Sequence, residues 1–324
     1  MEGGGWGDRL ENILRSIIFG LLHKPDSMFL DLAYLLRNDS KDNDELIQKI
    51  SELVENETAR LFWKHDYKGY KKIDLGPPIN KLSKLLLSGP VSLMLSQPEN
   101  RINLRQIMDE GMILLVNLAD LDTNVKRVLG CFIFSLLHIN ALSRSDMDIQ
   151  DRKQFHIHCD EAHQFLTDTL ESVIVETRKY RVSLSLAHHY LSQFSKENTD
   201  ALSTIDTSII FNVNKRDAAY LVRDLQNKVN AEDLVALNSY EAFARLGTDI
   251  VKIKTCDPLI ISKNNVRDQI IQHSHEKYCK PASEIRRFIQ NRANRAGRVT
   301  VPLQSTSAYT NYGDQEEFVY DEFE

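Results

Sequence analysis

The sequence of 324 residues has few of the features that mark secreted or membrane proteins. Its four cysteines lie far apart in the chain, and we expect reduced thiols in a cytoplasmic protein. The longest apolar run, Val128 to Ile139, is shorter than the roughly 20 residues of a membrane helix, so no membrane segment is predicted in this chain. A net charge of -6 argues against a polyanion binder that is basic throughout, while local basic clusters can still bind phosphates.

The chain also has no match to G-x-x-x-x-G-K-[ST], the loop whose backbone N–H groups and lysine hold nucleotide phosphates. It does have a short apolar run, F-H-I-H-C, that leads directly into Asp160 and Glu161. This pattern is typical of a strand that delivers carboxylates to the edge of a sheet. In nucleotide-driven motors the first acid holds Mg²⁺, usually through water, and the second polarises the attacking water. The sequence therefore predicts one half of a catalytic site.

The spacing of apolar residues predicts an α/β fold with an N-terminal all-α subdomain. Residues 1–100 repeat the i, i+3, i+4, i+7 spacing of amphipathic helices, with a break at Gly76-Pro77-Pro78. Residues 101–258 alternate apolar runs with helical segments, which indicates an open, mostly parallel sheet. Residues 259–324 form a third region, a basic helical tail that ends in an acidic segment. The predicted strands are Met112–Leu118, Gln154–Cys159, Val182–Ala187 and Ser208–Val213, with a hairpin of Tyr240–Leu246 and Ile250–Lys254.

Charge is segregated at the end of the chain. Lys263 to Arg298 contains nine Lys or Arg residues against three acids, and helices are predicted around Val266–Ile271 and Ser283–Arg292. The last eleven residues contain six acids and no base, and we expect them to be disordered without a partner. The basic stretch is a candidate for binding phosphates.

The sequence around Asp160 is also compatible with two other functions. His156, His158 and Asp160 share one face of the strand and, with His163 one turn into the next helix, could form the metal site of a hydrolase. The letters Asp160 to His163 also spell the second motif of DEAH-box helicases. A helicase of that type needs two complete sheet domains, whereas the predicted strands end by Lys254.

Two further polar residues follow the predicted strands and helices. Arg178 ends the helix that begins beside the acids, so the helix carries it away from its own site and towards a neighbour's, where a guanidinium can offset γ-phosphate charge. The alternative is a cation that complements a helix C-terminus. His189 follows the next strand and could sense the γ-phosphate, the alternative being a histidine at a strand end in solvent.

Several segments together closely resemble the motor domain of the HerA/FtsK superfamily, and within it the coupling ATPases of conjugative transfer or type IV secretion, of the TraD/TraG type. These segments are D-E-G-M-I-L-L-V-N-L-A, F-H-I-H-C-D-E-A-H-Q-F and E-T-R-K-Y-R-V-S-L-S-L-A-H-H-Y-L-S-Q-F. The resemblance extends from Trp6 to about Cys256 and includes R-L-E-N-I-L-R-S-I-I and G-P-V-S-L-M-L-S-Q-P in the helical part.

The resemblance implies a RecA-like ATPase that uses ATP and Mg²⁺ and moves DNA through the channel of a hexameric ring. It matches Asp160 and Glu161 to the Walker B pair and Arg178 to the arginine that reaches into the neighbouring subunit's site. The family usually has Gln in L-A-H-Q-Y where this chain has His189, which can still donate a hydrogen bond. Secretion or relaxosome proteins are further implied partners, and these would allow membrane association of an otherwise cytoplasmic chain.

In the family the P-loop and its strand lie upstream of the helical subdomain. Their absence from this sequence predicts either a C-terminal part of a motor, completed by a separate P-loop-bearing half, or a degenerate subunit. We expect weak or no ATP binding by the chain alone. The alternative function is a catalytically inactive, DNA-associated or assembly subunit that retains the fold.

Overall fold

The computed structural model describes residues 8–37, 43–165, 170–257 and 266–295. The predicted acidic tail, residues 314–324, lies outside these ranges. The chain divides into two compact units. The first consists of Met1–Glu99 with Cys279–Glu324, and the second of Asn100–Tyr278.

Helices outnumber strands in the described residues. The helices are, in chain order, α1 (Asp8–His23), α2 (Phe29–Arg37), α3 (Asp44–Leu53), α4 (Glu57–Leu61), α5 (Tyr67–Gly69), α6 (Lys72–Leu86), α7 (Gly89–Leu95), α8 (Leu104–Glu110), α9 (Thr123–Ser143), α10 (Leu170–Thr177), α11 (Lys196–Ser203), α12 (Lys215–Asp224), α13 (Ala231–Val235), α14 (Arg267–Tyr278) and α15 (Ala282–Arg295). The strands are β1 (Phe155–Cys159), β2 (Val182–Leu186), β3 (Thr207–Ile210), β4 (Glu241–Leu246) and β5 (Asp249–Lys254).

The described part of the first unit is helical, as predicted. Ile13 and Ile17 of α1, four residues apart on one face, are fully buried against the other helices of the unit. Gly20 lies one turn further along α1, and a Cβ there would come within 2.6 Å of the Trp63 ring. A glycine at this position therefore lets α1 approach the indole that fills the centre of the unit.

The second unit combines strands with helices, which confirms the α/β class. β1 and β2 run parallel, with Phe155 opposite Val182 and Cys159 opposite Leu186. β3, β4 and β5 form an antiparallel sheet, and β4 and β5 make the predicted hairpin. In the described part of the chain β2 pairs only with β1, and β3 pairs only with β4. Each of these two strands therefore has a second edge without a neighbouring strand.

One predicted strand is wrong. Residues 112–118 follow Gly111, which ends α8 in a left-handed conformation, and they form no strand. The Ile113 side chain is 88% exposed and the Leu115 side chain 75% exposed. An apolar run forms a buried strand only where another strand accepts its backbone hydrogen bonds, and the described residues provide none beside it.

Helix α9 packs one face against the rest of the second unit. Its buried residues include Val125, Leu129, Phe134 and Ala141. By length and composition the helical stretch Thr123–Asp146 could also cross a membrane, a property that core helices of globular proteins share. It is the one such helix in the described residues, and a third of its most apolar window is buried.

A buried arginine holds the starts of β1 and β2 together. The side chain of Arg144, just after α9, is fully buried. Its Nε donates to Asp109 Oδ1 at 2.9 Å, and its Nη1 and Nη2 donate to the carbonyls of Tyr180 and Lys153 at 2.9 and 2.8 Å. Because Lys153 precedes β1 and Tyr180 precedes β2, one guanidinium fixes both strands to helix α8.

Candidate functional site

The carboxyl ends of β1 and β2 lie side by side. Ala187 N donates to Cys159 O at 2.9 Å, and Ala162 N donates to Ala187 O at 2.9 Å, so the parallel pairing continues one step beyond the strands. In parallel sheets the residues that follow the strands collect at one edge, where ligands bind. The predicted acids after β1 and the predicted histidine after β2 are thereby brought to the same edge.

Glu161 is at the centre of this edge. Its backbone is left-handed, with φ of +49°, and its N–H donates to Asp160 Oδ1 at 2.9 Å. Its carboxylate lies between two histidines, with His189 Nε2 at 2.7 Å from Oε1 and His163 Nδ1 at 3.4 Å from Oε2. Of the predicted site residues, Glu161 and His189 are therefore in direct contact, and Asp160 is joined to them through the backbone.

Asp160 is exposed, and its second carboxylate oxygen has no partner in the described part of the chain. One accessible carboxylate oxygen fits Mg²⁺ that is held through water, because Mg²⁺ keeps several of its waters. The neighbouring Cys159 thiol is half-buried, and burial together with the Asp160 charge raises its pKa to about 11. A thiol at this position stays protonated near neutral pH and does not compete for the ion.

Sequence reasoning missed Gln193, which organises the histidines. Gln193 Oε1 accepts hydrogen bonds from His189 N at 3.1 Å and Tyr190 N at 2.9 Å, while its Nε2 lies 3.3 Å from His163 Nε2. One amide thus contacts the segment after β2 and the histidine that flanks Glu161. The available signal was the position of Gln193 three residues after Tyr190, the spacing of a capping box.

His188 has a different environment from its neighbour His189. Its ring packs edge-on against Phe194, with the centroids 4.8 Å apart. Burial lowers the pKa of His188, and Asp217 offsets part of this effect. His188 is therefore a neutral packing residue near pH 7, and of the two histidines it is His189 that contacts Glu161.

The geometry does not support the histidine metal site. His156 and His158 do share the exposed face of β1, and their rings stack with centroids 6.3 Å apart. However, His156 Nδ1 lies 2.6 Å from Ser183 Oγ, and His163 faces Glu161 and Gln193 instead. Among the described residues no three His, Cys, Asp or Glu side chains are placed to hold a metal ion.

Arg178 lies near the amino ends of β1 and β2, whereas Glu161 lies at the carboxyl end of β1. It is exposed, in a short turn before β2, and Phe155 N at the start of β1 donates to Arg181 O at 2.9 Å. Five residues of strand, about 16 Å, separate that level from the acids. The structure thus does not bring Arg178 to Glu161 of its own chain, and its action on a neighbour's site stays a prediction.

The arginine-rich stretch after Gln290, part of which lies outside the described residues, supplies a structural contact. In the first unit Arg292 Nη2 contacts Asp31 Oδ2 at 2.5 Å, and Asp31 is 1% exposed. Nη1 of the same residue donates to the carbonyl of Asp26. Arg292 is therefore occupied in neutralising a buried carboxylate, and in the described residues the last strand ends at Lys254. These contacts weigh against the DEAH-box alternative.

Comparison with solved structures finds a conjugative coupling protein and a VirB4 protein. The chain is similar to the bacterial conjugative coupling protein TrwB in an unbound form, with 10% identity, a TM-score of 0.49, and coverage of 79% of this chain and 70% of that one. TrwB in complex with ADP and Mg²⁺ is 10% identical, with a TM-score of 0.48 and coverage of 78% of this chain and 70% of that one. VirB4 of Thermoanaerobacter pseudethanolicus is 15% identical, with a TM-score of 0.45 and coverage of 77% of this chain and 70% of that one.

No protein-family profile and no curated protein matches the chain. Identities of 10–15% and TM-scores below 0.5 are too low to transfer residue roles from the solved structures. Function therefore has to be argued from the site itself.

Proposed function

We propose that this chain is part of a DNA-translocating ATPase motor of the conjugative-transfer or type IV secretion coupling type. The observation that supports this function is the juxtaposition of Asp160, Glu161 and His189 at the carboxyl edge of a parallel strand pair. One acid that can hold Mg²⁺ beside another that can position a water suits the hydrolysis of a γ-phosphate. The working unit in this proposal is a ring, with six subunits as in the resembling family, and DNA is the substrate that is moved.

Each residue has a distinct role in the proposed reaction. Asp160 would hold Mg²⁺ through water, and the bound ion would supply positive charge beside the phosphates. Glu161 orients and polarises the attacking water through the carboxylate oxygens that face His163 and His189. His189 donates a hydrogen bond that fixes the orientation of that carboxylate. Arg178 of one subunit offsets charge in the site of the next.

In the described residues the β1–β2 pair has no neighbouring strand on either side, which is consistent with a further strand supplied from elsewhere. We propose that the phosphate-binding loop is supplied by a separate polypeptide or another segment whose strand pairs with one of these edges. Since the sequence has no P-loop lysine, we also propose that the chain alone binds ATP weakly. Secretion or relaxosome proteins are proposed as further partners.

A hydrolysis assay tests the role of Glu161. ATPase activity is measured with DNA, for the chain alone and for the chain mixed with a P-loop-bearing half of a coupling-type motor. We expect activity only in the mixture, and a decrease of about 100-fold or more for Glu161→Gln because the water then lacks its base. Glu232→Gln, which changes an exposed carboxylate of α13, is the matched control. Unchanged hydrolysis by Glu161→Gln would refute the assignment.

Mixing two inactive variants, with the P-loop-bearing half present in every sample, tests whether Arg178 acts between subunits. Glu161→Gln chains keep Arg178, and Arg178→Ala chains keep Glu161. If the arginine acts on the neighbouring site, some interfaces in a mixed ring join an intact Glu161 to an intact Arg178, so the mixture regains a measurable fraction of activity. No recovery in rings that are shown to contain both variants would contradict action in trans.

A second candidate function is a subunit that retains the fold without hydrolysing ATP. The short contact of Glu161 Oε1 with His189 Nε2 favours it, because a carboxylate oxygen engaged in this way is less free to bind water. Calorimetry with ATP and Mg²⁺ separates the two candidates when the P-loop-bearing half is present. If ATP is bound but not hydrolysed, and His189→Gln does not change this, the inactive subunit is supported. Hydrolysis of ATP supports the motor.

A further inference from the structure

A second polar site lies in the same unit, between α11 and α12. It is a groove of about 530 Å³ that begins at the turn before α11 and continues along one face of α12. The side chains that matter for its chemistry are Phe194, Lys196, Thr199, Arg216, Tyr220 and Arg223. The cations and Tyr220 of the groove make no contact with Asp160, Glu161 or His189 among the described residues, whereas Phe194 also packs against His188.

The cations of the groove have no carboxylate partners. Lys196, Arg216 and Arg223 are exposed, and none forms an ion pair within the described part of the chain, although many other exposed bases of this protein do. The groove also contains Asp217, which is 5% exposed and accepts hydrogen bonds from Leu191 N at 3.2 Å and Asn214 Nδ2 at 2.9 Å. Three accessible cations thus face one buried, hydrogen-bonded carboxylate, in a protein whose net charge is negative.

The spacing along α12 fits an extended anion rather than a single phosphate. Arg216, Tyr220 and Arg223 are related by i, i+4 and i+7, so they lie on one face of the helix. Seven residues of helix rise about 10 Å, which separates the two guanidinium groups by more than one phosphate group can bridge. Between them lies Tyr220, a residue that is 38% exposed and whose aromatic ring is of the type on which bases stack.

We propose that this groove binds single-stranded nucleic acid, with successive phosphates on the cations and a base stacked on Tyr220. Alternating cations and an aromatic side chain are the recurrent means of holding a single strand without regard to sequence. The inference rests on the proposed function and deepens it by naming where the nucleic acid binds. Its test contains no ATP, so that failure of this site and failure of the hydrolytic assignment are distinguishable.

The test is fluorescence anisotropy with a labelled single-stranded oligonucleotide over a range of salt concentrations. For the pair Arg216→Gln and Arg223→Gln we expect a loss of tenfold or more in affinity at low salt. We also expect the slope of log K against log salt to fall by about 1.4, since each lost phosphate contact on a single strand accounts for about 0.7. The matched control is the pair Arg286→Gln and Arg287→Gln, which removes the same charge from exposed positions of α15.

Two variants of one residue separate stacking from charge. Tyr220→Ala is expected to weaken binding by about 5- to 100-fold, whereas Tyr220→Phe keeps the aromatic face and stays within about twofold. Circular dichroism confirms that each variant is folded before it is scored.

Three results would overturn the proposal. One is an equal or larger loss in the α15 pair with no loss in the groove pair, which would place binding on the basic tail. Another is displacement of the oligonucleotide by ATP or inorganic phosphate as efficiently as by unlabelled strand at equal phosphate concentration, which would indicate a small-phosphate site. The third is binding of duplex alone.

Discussion

Gly130 of α9 lies against Phe165, in the turn that follows Asp160 and Glu161, and Gly130→Ala tests this contact. A Cβ built on Gly130 would lie 2.1 Å from Cδ1 and 2.5 Å from Cε1 of Phe165. Ordinary carbon contacts are about 3.5–4.0 Å, so the ring has to move by about 1.5 Å or more. Phe165 follows Glu161 by four residues, and its displacement changes the position of the acids.

The size of the effect follows from two opposing contributions. Displacing a partly buried phenyl ring costs about 2–3 kcal/mol of packing. Replacing glycine by alanine inside a helix stabilises the helix by about 1 kcal/mol, because alanine has the higher helix propensity. We therefore expect Gly130→Ala to lower the free energy of unfolding of the second unit by about 1–2 kcal/mol.

Urea unfolding followed by far-ultraviolet circular dichroism measures this change. The control is Gly69→Ala, where an added Cβ meets nothing within 4 Å. In a Phe165→Ala background the clash is gone, and Gly130→Ala should become neutral or mildly stabilising. Equal effects of Gly130→Ala with and without the phenyl ring would refute the reasoning.

Three further predictions concern buried charges. Arg144→Leu should cost about 3–5 kcal/mol in urea unfolding, because it leaves Asp109 Oδ1 and two strand-start carbonyls without their donor, although Arg105 still pairs with Asp109 Oδ2; a cost below about 1 kcal/mol would contradict this role. Arg292→Ala should cost a similar amount in the first unit, and removing Asp31 as well should recover part of the loss, whereas simple additivity would argue against the pair. Burial lowers the pKa of His188 in the folded state, so below the unfolded-state pKa near 6.5 only the unfolded chain binds the proton. The free energy of unfolding therefore falls as the pH falls, until the folded-state pKa is reached. His188→Phe should flatten this part of a profile of stability against pH, and an unchanged slope would exclude His188 as its source.

Local patterns predict those elements whose partners are close in sequence. The β4–β5 hairpin is predictable because alternating residues flank Gly247, which adopts a φ of +62° at the turn. The strands β1 and β2 are predictable because both are short apolar runs that end in polar residues. The contact of Glu161 with His189 follows from their pairing, since parallel strands place their ends together.

Sequence patterns do not predict structure that depends on contacts with other segments of the chain. Residues 112–118 have the composition of a buried strand, but composition does not specify a neighbouring strand to pair with. Pro77 and Pro78 are predicted to break the helical pattern, yet they lie within α6, where burial of Leu75 and Leu82 outweighs the lost backbone hydrogen bonds. The role of Gln193 is not predictable because it depends on a side-chain amide that reaches two separate segments.

The left-handed backbone of Glu161 has a consequence for attempts to engineer this protein. A residue with a Cβ at φ of +49° raises the free energy of the folded state by about 1–2 kcal/mol relative to glycine, and asparagine tolerates the conformation better than glutamate. A library selected for thermal stability alone should therefore enrich Gly or Asn at this position. A library selected for ATP turnover should keep Glu161, and the difference between the two outcomes would measure the conformational cost of holding a carboxylate at the site.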